Sequence, residues 1–332
     1  MKKSLFLSVM ALVVIACNQN APEQPGTEPE TKESKVNAYF ANPVAWNGTF
    51  VEVNNAIQKT VGARQQAPMR RTSEDPTYPI YSFDPQDGTW PVTVTVNYGE
   101  TAILGVDGLE HSGTIRISAT NFFEKPGSVV TPVLDNFHVY GTVLTGSQTI
   151  QNLGFNNDSN LVFQVDVANG VLGSKRDFIY SEQTMRELVS GLGDNGFLVP
   201  DLSKHQYSIT GWMKGESNID SIPGFDIAID SVAPMVIAVG DLYPTSGHLH
   251  VDLAKPLVSE FDENELPKNF PVSEISIDEC ELYFLGKVSA GVYSAKLQVP
   301  VNMVTAEIVA TISFNLNKDG VIAESVKFAV EQ

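Results

Sequence analysis

From Pro91 onward the apolar residues of this chain fall on every second position. "PVTVTVNYG" sets Val92, Val94 and Val96 against Thr93, Thr95 and Asn97; "SGTIRISAT" does the same with Ile115 and Ile117; "LVFQVDVANG" aligns Leu161, Phe163, Val165 and Val167. A period of two sends successive side chains to opposite faces of an extended strand. One face is then buried and the other wet, which is the habit of antiparallel sheets. About a dozen such segments, separated by Gly, Pro, Asn and Asp, follow one another to the C-terminus. The clearest hairpin joins Ala306–Leu316 to Val321–Val330 through Asn317-Lys318-Asp319-Gly320. The expected fold is all-β, an antiparallel β-sandwich-like body.

One helix is expected ahead of it. Phe50, Val53, Ile57 and Val61 recur at helical spacing and Gly62 stands where a C-terminal cap would, so 37–62 reads as a short helical segment. "ARQQAPMRRTSEDPTYP" is polar and broken by proline, a linker over 63–76. The remainder divides into two β units, 77–205 and 206–332, which pack as one domain or two. "SGTIRIS" at 112–118 is echoed by "SGHLHVD" at 246–252. The stretch "SEQTMRELVSGLG" fits a helix capped by Ser181 with Met185, Leu188, Val189 and Leu192 on one face, and fits equally a strand continuing "DFIY".

The N-terminus gives an address. Lys2 and Lys3 precede an apolar run from Leu5 to Ala16, too short to span a bilayer of about 30 Å and the right length for a signal-peptide core. Val14-Ile15-Ala16-Cys17 looks like a lipobox, so 1–16 is expected to be a lipoprotein signal peptide and Cys17 the lipidated first residue of the mature chain. Several acyl chains on one residue anchor a protein stably, since each buried methylene contributes about 0.8 kcal/mol. Residues 17–36, with Pro22, Pro25 and Pro29 among Glu23, Glu28, Glu30 and Glu33, cannot bury enough apolar surface to offset ordering entropy. They read as a disordered tether reaching on the order of 25 Å as a coil.

Charge excludes one class of partner. Removing 1–16 takes away two lysines and no acid, moving the formal charge from −18 to −20. Such a chain repels phosphate backbones, and nucleic acid is not an expected partner. Beyond Cys17 only Cys280 remains, so no intramolecular disulfide forms in the mature chain and stability rests on a core. In "ISIDECELYFLG" Ile275 and Ile277 hold one phase and Cys280, Leu282 and Phe284 the other, which places a bulge near Asp278 or Glu279 and Cys280 inside. Trp46, Trp90 and Trp212 abut turns or linkers and are the aromatic residues expected at the surface.

Motifs for chemistry are sparse. His248, His250 and Asp252 alternate along one strand and project from one face at intervals of about 6.5–7 Å. They would hold zinc if another strand supplied a further ligand. The echoing strand has Thr114, Arg116 and Ser118 there, which marks a solvent face; no metal and no cofactor is expected. "GLGDNG" at 191–196 lacks the βαβ setting of a dinucleotide loop. "NLNKDGVIAESV" lacks the twelfth-position glutamate of a calcium loop, Val326 standing there instead. No nucleophile elbow occurs and no catalytic residue can be named.

The runs "YPIYSFDPQDGTWPVTVTVNYG", "GVDGLEHSGTIRISATNFFEKPGS" and "TPVLDNFHVYGTVLTGSQTIQNLG" resemble a group of uncharacterised β-rich lipoproteins of Gram-negative anaerobes. That group shows a D-G-x-x-x-S-G-x-I-x-I element, matched by Asp107, Gly108, Ser112, Gly113, Ile115 and Ile117. It also shows an F-D-N-Y-Y-V-N-G-like strand, matched by Asp135, Asn136, Phe137, Val139 and Gly141. The match covers roughly residues 76–215. The group's turn cysteine is missing, and Leu109, Glu110 and His111 replace its basic residues. The resemblance implies fold and location, no activity, and an extended conformation around 178–189. The expectation is therefore a lipid-anchored cell-envelope protein, placed at the outer membrane through Cys17. Its role would be non-catalytic binding, adhesion or structure, with a glycan or another surface protein as partner. The rival is a surface hydrolase using a carboxylate pair.

Overall fold

A computed structural model describes residues 32–65, 79–86, 89–173, 178–192, 201–218, 224–241, 243–260, 274–289, 292–301, 304–316 and 322–331. The expected signal peptide, Cys17, the tether as far as residue 31, most of the linker, 193–196 of the glycine motif and the turn at 317–320 lie outside the described residues.

One helix, α1 (Lys32–Gln65), is followed, among the described residues, by strands and a single 3-10 turn at Leu202–Lys204. These are β1 (Ile80–Asp84), β2 (Val92–Leu104), β3 (Glu110–Ala119), β4 (Val129–Val139), β5 (Thr142–Phe155), β6 (Leu161–Leu172), β7 (Phe178–Ser190) and β8 (Gln206–Ser217). They continue as β9 (Phe225–Ile229), β10 (Met235–Ala238), β11 (Gly247–Glu260), β12 (Glu274–Ser289), β13 (Val292–Val301), β14 (Val304–Leu316) and β15 (Ile322–Glu331). Each strand pairs antiparallel with the next along one hydrogen-bonded sheet, except that β9 pairs with β11 and the short β10 sits beside β8. The expected antiparallel all-β body is present, and β14 and β15 form the expected hairpin, with Leu316 opposite Ile322.

Alternation is kept where it was legible. Val92, Val94, Val96, Ile115, Ile117, Leu161, Phe163, Val165 and Val167 are all buried. The segment with two readings is strand β7, paired along its length with β6 and β8. Its inward phase is Phe178, Tyr180, Glu182, Thr184, Arg186 and Leu188, so two charged residues sit on the dry face and Val189 on the wet one. The Ser-Gly pairs of the echo play similar parts. A Cβ on Gly113 (φ +86°) would lie 1.9 Å from the Asn136 carbonyl oxygen, and one on Gly247 (φ +131°) 2.6 Å from the Met235 Cα. Each glycine admits a neighbouring backbone that any side chain would push away.

The helix is longer than expected, taking in residues 32–36 of the tether and 63–65 of the linker. Pro43 lies inside its first turns without ending it. Its middle is enclosed on every side, since Ala45, Trp46, Phe50, Val53, Ala56 and Ile57 are buried and so are Thr49, Glu52, Asn54 and Asn55. It packs on β2, β5 and β6. The Phe50 ring meets Phe123, Phe163 and Tyr207 edge to face at 5.8, 6.2 and 5.2 Å. Trp46 lies against Gly146 and Gly170, where a Cβ on Gly170 would stand 2.5 Å from the indole Nε1.

Candidate functional site

Because α1 covers the β2, β5 and β6 part of the dry face, the continuation of that face toward β12 is apolar and incompletely filled. A cavity of about 80 Å³ opens there. Its wall is built from Ile209 and Met213 of β8, Phe225 and Ile227 of β9, Met235 and Ile237 of β10, Leu249 of β11 and Phe284 of β12, closed on the helix side by Pro43, Val44 and Asn47. Period two explains the wall, since each of these strand residues is an inward member of its alternation. The space is several times what one water needs, yet it offers water few polar partners.

Arg186 is the charged member of that wall. It is 1% exposed, stacks its guanidinium 4.5 Å over the Phe50 ring, donates from Nη1 to Asn47 Oδ1 at 2.7 Å and pairs through Nη2 with Glu182 Oε1 at 2.9 Å. Glu182 also accepts from the hydroxyls of Thr184 and Tyr180. The guanidinium Nε has no hydrogen-bond partner. The pair is thus satisfied at the carboxylate and leaves one buried donor beside the cavity.

A second polar cluster holds α1 to the β2–β3 turn. Glu52 Oε1 accepts from the Val106 N–H at 2.6 Å and the Asp107 N–H at 3.3 Å, and Oε2 accepts from the Tyr98 hydroxyl at 2.7 Å. Asp107 accepts from the Leu109 N–H at 3.0 Å and contacts His111 Nε2 at 3.0 and 2.9 Å. Burial, and next the Asp107 charge, push the Glu52 carboxyl up to about 7. Burial alone would lower the His111 pKa, but the charge and hydrogen bond of Asp107, with Glu52, outweigh it and raise it. Glu52, Asp107 and His111 offer ligand atoms within 4.8 Å of one another. Those oxygens already receive N–H and O–H donors, so the cluster is an internal tie. The β2–β3 turn thus presents Asp107 to both His111 and Glu52.

The predicted ladder stands on the wet face of β11. Leu249, Val251 and Leu253 are buried while His248, His250 and Asp252 point outward. Directly across on β12 are Tyr283, Glu281 and Glu279. His250 Nδ1 lies 2.7 Å from Glu281 Oε1 and its Nε2 3.3 Å from Asp252 Oδ1; His248 Nε2 lies 2.6 Å from Glu281 Oε2 and its Nδ1 3.0 Å from Asp230 Oδ2. The second strand therefore supplies the carboxylates that a ladder on β11 alone lacked. Glu281 and Asp252 hold the His250 pKa above its ordinary value, against the smaller opposing effect of burial. Arg116 and Ser118 of the echoing strand are exposed as well.

The tryptophan expectation needs correction. Trp46 is fully buried, the largest side chain of α1 to be so, because the residues flanking it are helix and not linker. Trp90 is half-buried with its ring 4.9 Å from Phe122, and Trp212 alone of the three is exposed, at 43%. Cys280 is buried as expected, and burial followed by the charges of Glu281, Asp252 and Glu279 pushes its thiol up to about 12. The expected bulge is a register shift in which Asp252 to Leu257 of β11 oppose Glu279 to Ile277 of β12, so the extra residues lie on β11.

Comparison with protein-family models, with curated proteins and with solved structures finds no match to this chain.

Proposed function

We propose that this protein is a lipid-anchored module of the cell envelope, held at the outer membrane by acylated Cys17, and that its β body is a non-catalytic binder that takes the apolar end of an acyl chain. The observation that carries the binding reading is the cavity between α1 and β8–β12. Apart from Asn47, Arg186 and the Tyr243 hydroxyl, every side chain around it is apolar. An apolar occupant gains there what water would lose.

Two observations favour this over the alternatives. The buried pair Glu52 with Asp107 is 2% and 5% exposed and out of reach of a polymeric substrate, and the exposed pair Asp252 with Glu279 stands on the wet face of the sheet, away from the cavity, which speaks against the hydrolase. A glycan platform needs exposed aromatic faces, and two of the three tryptophans are turned inward or half-covered. The location rests on the sequence before residue 31.

The test uses the mature chain carrying Cys17→Ser, which leaves the body untouched and removes the lipid. Titration with cis-parinaric acid should give saturable one-to-one binding that palmitate competes away, and linear oligosaccharides should not compete. Oligosaccharide binding without fatty-acid binding would overturn the reading. Radiolabelled palmitate should label the wild-type chain in cells and leave Cys17→Ser unlabelled.

A further inference from the structure

We infer that the outward face of β11 and β12 carries a zinc site in which His250, Asp252 and Glu279 are the protein ligands and Glu281 fixes the His250 ring. One ligand atom from each of the three lies within 4.8 Å of the others, and all three side chains are reachable from solvent. An imidazole with two carboxylates and a remaining open position filled by water is a coordination set that zinc accepts. Calcium and magnesium prefer oxygen ligands alone.

Three features point to a cation here beyond the proximity of acids. The first is the direction of the imidazole. His250 turns Nδ1 to Glu281 Oε1 at 2.7 Å and leaves Nε2 facing Asp252. Metal-bound histidines characteristically donate their other ring N–H to a carboxylate in this way.

The second is how rigidly Glu281 is held. Its other oxygen accepts from His248 Nε2 at 2.6 Å, and the His248 ring is stacked on Tyr283 at 4.3 Å with 3° between planes and bonded on its far side to Asp230. His248 is therefore a positioning residue in this arrangement. The third is a cross-strand row in which Asp226 of β9 stands opposite Asp252 and Asp252 opposite Glu279. Like charges placed directly opposite destabilise a sheet. Lys214, with Nζ 3.7 Å from Asp226 Oδ1, offsets one end of the row, and His250 Nε2, 3.3 Å from Asp252 Oδ1, meets its middle, where the ion would sit.

The proton balance follows from the contacts. Zinc needs the lone pair of His250 Nε2, so any proton held there leaves to buffer when the ion binds, while the Nδ1 proton stays on the ring, donated to Glu281.

The experiment is calorimetric titration of the untagged, chelator-stripped mature chain (Cys17→Ser) with zinc chloride, in two buffers of different ionisation enthalpy. One ion per chain is expected, with the same stoichiometry in both buffers. His250→Ala and Asp252→Asn should each weaken binding at least tenfold, and Glu281→Gln about tenfold through loss of ring positioning. His138→Ala, on another part of the sheet, should change nothing. These side chains are on the wet face, so the ion-free variants should stay folded, with Asp252→Asn, which removes a like charge from the row, melting no lower than wild type. Added zinc should raise the melting temperature of wild type and not of His250→Ala. Absence of stoichiometric zinc, or zinc binding that survives His250→Ala, would overturn the site.

Discussion

Glu52→Gln is the substitution whose effect follows most directly from the geometry. Glu52 is 2% exposed, so solvent does not screen it, and its carboxyl ionises at about 7 in the fold against 4.5 when free. That position already includes the opposing attraction of His111 and the hydrogen bonds from Tyr98 and the Asp107 backbone. The folded pKa is the higher one, so the folded state binds the proton more tightly than the unfolded chain. The stability this lends is fully present below pH 4.5 and is lost as pH rises through 7. At pH 8, holding the carboxylate ionised in the core costs roughly 3 kcal/mol. Glutamine keeps an acceptor for the Val106 and Asp107 N–H groups and forfeits the charged acceptor of the Tyr98 hydroxyl, a loss of about 1 kcal/mol.

Two melting curves test this. Wild-type stability should fall between pH 5 and pH 8, whereas Glu52→Gln should be slightly less stable than wild type at pH 5. At pH 8 it should be more stable by about 2 kcal/mol, or roughly 3 °C for a chain of this size. The sign of the difference therefore reverses across neutrality. A variant that lowers the melting temperature equally at both pH values would refute the reasoning, because Glu52 would then be acting only as a hydrogen-bond partner.

Other substitutions probe the remaining supports. Arg186→Leu strands Glu182 in the core without its cation and should cost roughly 3–5 kcal/mol in urea unfolding; near-wild-type stability would show that the Tyr180 and Thr184 hydroxyls suffice. Gly170→Ala drives a methyl to 2.5 Å from the Trp46 indole and should destabilise by about 1–3 kcal/mol while shifting the tryptophan emission. Native protein should leave Cys280 unmodified by maleimide at pH 7, with labelling only after denaturation, because the thiol is buried and protonated.

What the sequence made legible was the wet-and-dry alternation of strands whose inward residues are apolar, as in β2, β3 and β6. Where the inward phase includes charge, as with Glu182 and Arg186 in β7, period two is masked and a helical pattern competes. The two carry opposite charges that cancel inside, which hydropathy cannot register. The helix was recognisable from Phe50, Val53 and Ile57 alone. Its full extent was hidden because Thr49, Glu52, Asn54 and Asn55 are buried too, each bonded to its own helix, to a tyrosine or to the β2–β3 turn, so no polar face marks the outside. The same enclosure explains Trp46. The ladder on β11 could be read as a face, but its partners on β12 and at Asp230 come from pairing that no local pattern reveals. The cavity was illegible altogether, since an incompletely covered sheet face has the same alternation as a covered one.

The central claim is that this cavity is a ligand site, and filling it is the direct test. Ile237 of β10 is 6% exposed and faces the space, so Ile237→Trp places an indole where the ligand would lie. Fluorescence titration of both proteins with 1-N-phenylnaphthylamine is the measurement, with a thermal melt confirming that the variant is folded. Saturable binding to wild type and at least a tenfold loss of affinity in the variant are expected. Equal affinity in the two folded proteins, or no binding to either, would contradict the account.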